Sequence, residues 1–94
     1  MTKVLIDIPE EHGTLYFEVE NHAGSRDVCA MASALTNVMV LRCDRRGYDI
    51  ESYESGRVRM IIDNADDITC NIATALQDAF MALAEDFPGQ VKIY

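Results

Sequence analysis

The chain has 94 residues, 49% of them hydrophobic, and its 16 acidic against 8 basic side chains give a formal net charge of −8. That hydrophobic content excludes a largely disordered chain, and the short length leaves room for one core, so we expect a single domain over residues 1–94. The acidic balance disfavours nucleic acid as a partner, because nucleic-acid affinity rests on Lys and Arg neutralising phosphates. A basic protein or peptide would instead be attracted.

Run lengths and cysteine spacing exclude further classes. The longest apolar runs, 38–41 and 79–84, are far shorter than the roughly 20 residues of a membrane-spanning helix, so no membrane partner is expected. The first eight residues alternate polar and apolar, unlike a secretory signal peptide. Three widely spaced cysteines without a CxxC pair argue against a disulfide framework or a zinc site. We therefore expect a cytoplasmic protein with no metal and no other cofactor.

The first part of the chain predicts a hairpin followed by a helix. Residues 3–8 and 14–20 alternate polar and apolar side chains around a turn that contains Pro and Gly, which predicts two antiparallel strands. From Val28 onward, apolar residues recur every three or four positions, which is typical of one face of a helix. Ser25 and Asp27 are both possible N-caps, and we expect the helix to end near Arg42 and Cys43. Its predicted apolar face contains a set of seven side chains: Val28, Met31, Ala32, Leu35, Val38, Met39 and Leu41.

The second part repeats the same order of elements. Residues 48–54 and 57–63 predict two strands joined by a hairpin turn at Ser55 and Gly56. A second helix is predicted over 66–86, with acidic residues at its start, and 91–94 predict a short closing strand. The order ββαββαβ predicts an α+β fold, a mostly antiparallel sheet packed with two helices.

Two residues in the segment between the second strand and the first helix suggest nucleophilic chemistry. His22 is predicted at the end of the strand and Cys29 in the first turn of the helix. The unpaired N–H groups and positive dipole at a helix start favour a thiolate, and an imidazole within reach can accept the thiol proton. The amides near Cys29 and Ala30 are the expected donors to an oxyanion. Cys29 and Ser33 are four residues apart and so lie on one helix face.

The same stretch resembles a known protease family. His22-Ala23, followed by the run from Asp27 through Val28-Cys29-Ala30 to Ser33-Ala34-Leu35, is similar to the signature of the ribosomal-processing cysteine protease family, Prp. The similarity extends over essentially the whole chain, through its length and its ββαββαβ order. The resemblance implies a cytoplasmic homodimer that removes an N-terminal extension from a bacterial ribosomal protein.

Carried over by this resemblance, His22 is the general base and Cys29 the nucleophile of a catalytic dyad. Ser33 and Asp27 are supporting residues at the same site. The segment between the dyad residues is a loop that covers the substrate, which here comprises Ala23, Gly24, Ser25 and Arg26.

The chain also departs from the family pattern. Asn21 stands before His22 where the family has Gly, and Asp27 lies two residues before Cys29 rather than three. Only six residues separate His22 from Cys29, fewer than is usual in the family. These departures leave three alternatives: a diverged protease whose target could be a phage structural protein, a protein-binding module without catalysis, and a small dimeric structural protein.

Overall fold

A computed structural model of the chain describes residues 1–11, 13–21, 25–54 and 56–94. Within these residues, five strands and two helices follow in the predicted order, which confirms the α+β class. In the described part of the chain, neither helix is long and apolar enough to cross a membrane. The elements are β1 (Thr2–Asp7), β2 (Leu15–Asn21), α1 (Arg26–Arg46), β3 (Ser52–Glu54), β4 (Arg57–Ile62), α2 (Asp67–Asp86) and β5 (Val91–Ile93).

The strands form one sheet in the order β3-β4-β2-β1-β5, with β2 at its centre. β2 runs antiparallel to β1, from the pair Thr2 and Asn21 onward, and antiparallel to β4 on its other side. β3 is antiparallel to β4, and β5 is parallel to β1. The sheet is therefore mostly antiparallel, as the sequence predicted.

Alternating side chains of the strands face one common core. In β1 and β2 every second residue is buried, and Phe17 at the centre of β2 is fully buried, as is Phe80 of α2. The buried hydrophobic residues of both helices belong to this same cluster, so the helices cover one face of the sheet. A fold of this kind needs strands with one apolar face, which the period-2 pattern of the sequence supplies.

Two predicted boundaries and part of a predicted face are corrected. α1 continues past Cys43 to Arg46, because Gly47 takes a left-handed conformation (φ 73°) and caps the helix there. β3 comprises only Ser52–Glu54 instead of starting at residue 48. Of the predicted hairpin turn, Ser55 lies outside the described residues and Gly56 has a φ of 83°.

The buried face of α1 differs from the predicted one. Thr36 and Cys43 are buried, whereas three predicted core residues are exposed: Met31 (36%), Val38 (44%) and Leu41 (62%). Thr36 is tolerated inside because its hydroxyl donates to the carbonyl of Ala32 at 2.7 Å. The prediction placed the larger apolar residues in the core because it relied on hydrophobicity alone, and it left out Thr36 and Cys43. That part of the predicted face was wrong.

Asp66 joins the end of α1 to the start of α2. As the N-cap of α2, its carboxylate accepts the Thr69 N–H at 2.8 Å, and it also pairs with Arg42 (2.9 Å) and Arg46 (2.8 Å). Hydrogen bonding to Thr69 is the largest cause that lowers the pKa of Asp66, and the positive charges of Arg42 and Arg46 lower it further. Partial burial acts in the opposite direction. The ionised form of Asp66 is therefore favoured over the protonated form more strongly in the folded chain than in the unfolded one.

This arrangement predicts a pH-dependent contribution to stability. Because the pKa of Asp66 is lowered by folding, its contribution is present above the ordinary value of 3.8 and is lost as the pH falls through the folded value. Asp66→Asn keeps a good N-cap but removes the charge, so we expect a loss of about 0.5–1 kcal/mol at pH 7. Asp66→Ala should lose roughly 1 kcal/mol more. Urea denaturation at pH 7 and pH 3 measures both, and an equal wild-type-to-Asn difference at the two pH values would contradict the ion-pair contribution.

Candidate active site

The end of β2 and the start of α1 each carry a polar residue. Asn21 is the last residue of β2, and Ser25 is the N-cap of α1, where its hydroxyl accepts the Val28 N–H at 3.3 Å. Of the two predicted N-caps, Ser25 is therefore the correct one. Cys29 follows one turn later, with a free, half-buried thiol. His22, Ala23 and Gly24 lie outside the described residues, so the placement of the predicted base and of the first half of the predicted loop stays a prediction.

The Cys29 sulfur accepts a hydrogen bond from a side-chain amide. Asn21 Nδ2 lies 3.2 Å from Cys29 Sγ, 3.1 Å from the Cys29 carbonyl oxygen and 3.1 Å from Ser33 Oγ. Asn21, Cys29 and Ser33 thus form one polar cluster at the junction of sheet and helix. An amide N–H stabilises negative charge on an acceptor more than it stabilises the neutral form.

The backbone amide of Cys29 is not a free donor. It donates to the Ser25 carbonyl at 3.1 Å, as the first i to i−4 hydrogen bond of α1. The expectation that this amide would hold an oxyanion is therefore wrong for this conformation. The N–H groups of Arg26, Asp27 and Val28 precede this bond and have no i−4 acceptor within α1, and that of Val28 donates to the Ser25 hydroxyl instead.

The polar cluster lies in the wall of a cavity of about 440 Å³ between α1 and the β3–β4 hairpin. This volume falls in the range of small-ligand clefts, and a short peptide segment could enter it. Both apolar and polar side chains line it: Val19, Asn21, Cys29, Ser33, Thr36, Asn37, Tyr53, Glu54, Gly56, Arg57 and Val58. Cys29 and Ser33, which the sequence placed on one helix face, do face the same space.

The charged residue Arg57 on the cavity wall is paired with acidic neighbours. Its guanidinium lies 3.2 Å from Glu18 and 3.8 Å from Glu20, across the sheet from the cavity. Hydrogen bonding to Glu18, followed by the charge of Glu18, raises the pKa of Arg57. The positive charge of Arg57 is therefore largely neutralised by these two carboxylates.

The remaining predicted site residues have other positions. Asp27 and Arg26 are exposed in the first turn of α1 and do not line the cavity, and Ser25 serves as the helix cap. The residue that the sequence reasoning missed is Asn21, which was noted only as a departure from the family pattern. One signal could have identified it: Asn21 continues the every-second-residue series of Phe17 and Val19, so its side chain lies on the face of β2 that α1 covers.

The described residues hold no group of three or more His, Cys, Asp or Glu side chains arranged to bind a metal ion.

Comparisons with solved structures show which proteins this fold resembles. Two solved structures of the essential ribosomal processing protease Prp from S. aureus superpose over 99% and 100% of this chain and 97% and 98% of theirs. One is a complex with a covalently linked product peptide (TM-score 0.77, 21% identity) and the other a complex with a substrate peptide (TM-score 0.76, 19% identity). These matches confirm the predicted likeness to Prp at the level of the fold.

A third solved structure, SMU.848 from Streptococcus mutans, matches 99% of this chain and 95% of its own, with a TM-score of 0.69 and 20% identity. No protein-family model and no curated protein sequence matches the chain. The chain therefore shares the Prp fold along its full length while its sequence has diverged widely.

The three cysteines should differ strongly in reactivity. Burial raises the pKa of the Cys43 thiol, and burial together with Asp67 and Asp66 raises the pKa of Cys70. Cys29 is partly accessible from the cavity and accepts an amide N–H. We expect iodoacetamide at pH 7 to label Cys29 first, at least tenfold faster than Cys43. Peptide mapping by mass spectrometry over a time course measures the order, and labelling of Cys70 ahead of Cys29 would contradict it.

Proposed function

We propose that this chain is a cysteine endopeptidase that resembles Prp. The observation that carries the proposal is the position of the Cys29 thiol, which lies in the wall of the 440 Å³ cavity beside Asn21 and Ser33. Support comes from the fold, because the S. aureus protease with the same architecture is known in complex with a covalently linked product peptide. A covalent link to a peptide is the state that a nucleophilic mechanism passes through.

In the proposed reaction, His22 takes the proton of the Cys29 thiol. The thiolate sulfur attacks the carbonyl carbon of the scissile peptide bond and forms a carbon–sulfur bond. The protonated His22 then gives its proton to the departing amine as the carbon–nitrogen bond breaks. Water, activated by His22, attacks the thioester, releases the acid product and restores the thiol. No metal or organic cofactor takes part in these steps.

We propose that the substrate is an N-terminal extension of a bacterial ribosomal protein or of a related phage structural protein. β3, whose last residues Tyr53 and Glu54 line the cavity, is one of the two edge strands of the sheet. An edge strand offers unpaired main-chain groups to which an extended segment can add. The net charge of −8 would attract basic segments. We also propose a cytoplasmic location, since all three cysteines are free thiols.

Cleavage of candidate substrates tests this function. Wild type, Cys29→Ser and His22→Ala are incubated with N-terminally extended ribosomal and phage proteins, and the products are identified by mass spectrometry. We expect a single cleavage by the wild type, none by Cys29→Ser and a rate at least about 100-fold lower for His22→Ala. Cys70→Ser is the matched control, because it removes a thiol that lies away from the cavity, and it should cleave normally.

Cleavage by Cys29→Ser at the wild-type rate would contradict the proposal. Equal substrate binding by wild type and Cys29→Ala, without cleavage by either, would support a binding module instead.

We propose that the active protein is a homodimer, as the resemblance implies. Met31, Val38 and Leu41 share one side of α1 and are exposed by 36%, 44% and 62%. At 100° per residue, Cys29 and Ser33 lie on roughly the opposite side, so pairing of two copies through this apolar side would leave the cavity open.

Light scattering after size-exclusion chromatography tests the dimer. We expect the wild type at about twice the chain mass of 10.5 kDa and Leu41→Glu as a monomer, because a carboxylate would be buried without a partner. Ile68→Glu on α2 is the matched control, since Ile68 is similarly exposed (59%) and lies on the other helix. A monomeric wild type would contradict the proposal.

A further inference from the structure

Two hydrogen bonds to neighbouring strands hold Asn21 at the end of β2. Its backbone N–H donates to the Gly56 carbonyl at 2.6 Å, which ties it to the start of β4. Its side-chain oxygen accepts the Thr2 hydroxyl at 2.8 Å, and Thr2 is fully buried in β1. Contacts with two neighbouring strands therefore fix the amide group independently of α1. Because the amide is already oriented, little free energy is needed to orient it during the reaction.

The chemistry of the neighbours decides which amide atom faces Cys29. The Cys29 carbonyl oxygen can only accept a hydrogen bond, so the atom 3.1 Å from it must be the NH₂ group of Asn21. The Thr2 hydroxyl, which can donate, lies against the oxygen. Nδ2 carries two hydrogens and lies within reach of three acceptors, namely the Cys29 sulfur, the Cys29 carbonyl and the Ser33 hydroxyl. If the sulfur becomes charged, it is the strongest of the three acceptors.

The main-chain N–H groups nearest to the Cys29 sulfur already donate to other acceptors. The Cys29 N–H donates to the Ser25 carbonyl, and the Val28 N–H donates to the Ser25 hydroxyl. The Asn21 side chain is thus the donor that the described structure places on the sulfur itself.

We propose that Asn21 is a further catalytic residue of this chain, whose Nδ2 donates to the Cys29 sulfur, stabilises the thiolate and holds it toward the cavity. Thr2 is a positioning residue, because its hydroxyl fixes which side of the amide faces the sulfur. This inference rests on the proposed function, in which the Cys29 thiolate is the nucleophile. It requires no group beyond residues of β1, β2 and α1.

The rate of alkylation of Cys29 by iodoacetamide, measured from pH 5 to pH 10, tests this role without any peptide substrate. In this reaction the thiolate sulfur forms a bond to the methylene carbon while iodide leaves with the electron pair of the carbon–iodine bond. The rate therefore reports both the amount of thiolate and its nucleophilicity.

Four variants distinguish the hydrogen bond from Asn21 to the Cys29 sulfur from a general effect of charge in the cavity. Asn21→Leu removes the donor at similar size, and Asn21→Asp keeps the shape and the oxygen that accepts from Thr2 but places a carboxylate beside the sulfur. Thr2→Val removes the orienting hydroxyl and leaves Asn21 in place. Asn37→Asp is the matched control, because it adds the same charge to the same cavity from the middle of α1. Thermal unfolding identifies variants that fold, and only these are compared.

For Asn21→Leu we expect the alkylation rate at pH 6 to fall roughly threefold, because loss of the donor leaves less thiolate while the remaining thiolate is somewhat more nucleophilic. Asn21→Asp should lose at least about tenfold, since a negative charge replaces a donor next to the sulfur. Thr2→Val should fall between wild type and Asn21→Leu, and Asn37→Asp should change the rate by less than about twofold.

Unchanged profiles for folded Asn21→Leu and Thr2→Val would overturn the proposal. A loss in Asn37→Asp equal to that in Asn21→Asp would also overturn it, because the effect would then be one of charge rather than contact. Failure of the proposed function has a different signature. The alkylation profile would shift as expected in the Asn21 variants while no candidate protein is cleaved by the wild type.

Discussion

Strand β2 is paired along its length with β1 on one side and β4 on the other, and this double pairing determines where the chain leaves the sheet for α1. Two main-chain ladders hold residues 16–20 of β2, and Asn21 pairs with Thr2 of β1 and donates its N–H to the Gly56 carbonyl. The fully buried Phe17 and Leu15 hold the inner face of the strand. The last residue of such a strand has little freedom. Asn21 therefore has a defined position against the start of α1, and the geometry around the Cys29 sulfur follows from that position.

The surroundings of this sulfur are polar but carry little net positive charge. A thiolate is commonly stabilised by a nearby cation, yet the arginine on this cavity wall, Arg57, is engaged by Glu18 and Glu20 on the other face of the sheet. The stabilisation available from the described residues comes from neutral dipoles instead, namely the Asn21 amide and the N-terminal end of α1. Neutral donors suit an acidic protein. A positively charged residue at the site would have to be kept away from the many carboxylates of the chain, and a neutral amide does not have this problem.

The likeness to the Prp structures at 19–21% identity shows that this fold tolerates wide differences in sequence. The sheet needs alternating apolar residues, and the helices need an inner stripe and a cap at each start, here Ser25 and Asp66. Many residues satisfy these demands, so most positions can change while the architecture stays. The residues around Cys29 are under a narrower demand, since hydrogen-bond geometry at the sulfur depends on particular side chains.

The sequence by itself determined the order of the elements, the α+β class and the placement of Cys29 and Ser33 on one helix face, because hydrophobic periodicity acts over a few neighbouring residues. The sequence left the N-cap of α1 open between Ser25 and Asp27, and Ser25 is the cap in the structure. It did not determine that Thr36 and Cys43 are buried while Leu41 is exposed, or that Gly47 rather than Cys43 marks the end of α1. Nor did it show that Asn21 donates to the Cys29 sulfur, or that Thr2, 19 residues before Asn21, donates to the oxygen of the same amide. Those features depend on how β1, β2 and α1 pack together, and contacts between distant segments leave no periodic trace in a single sequence.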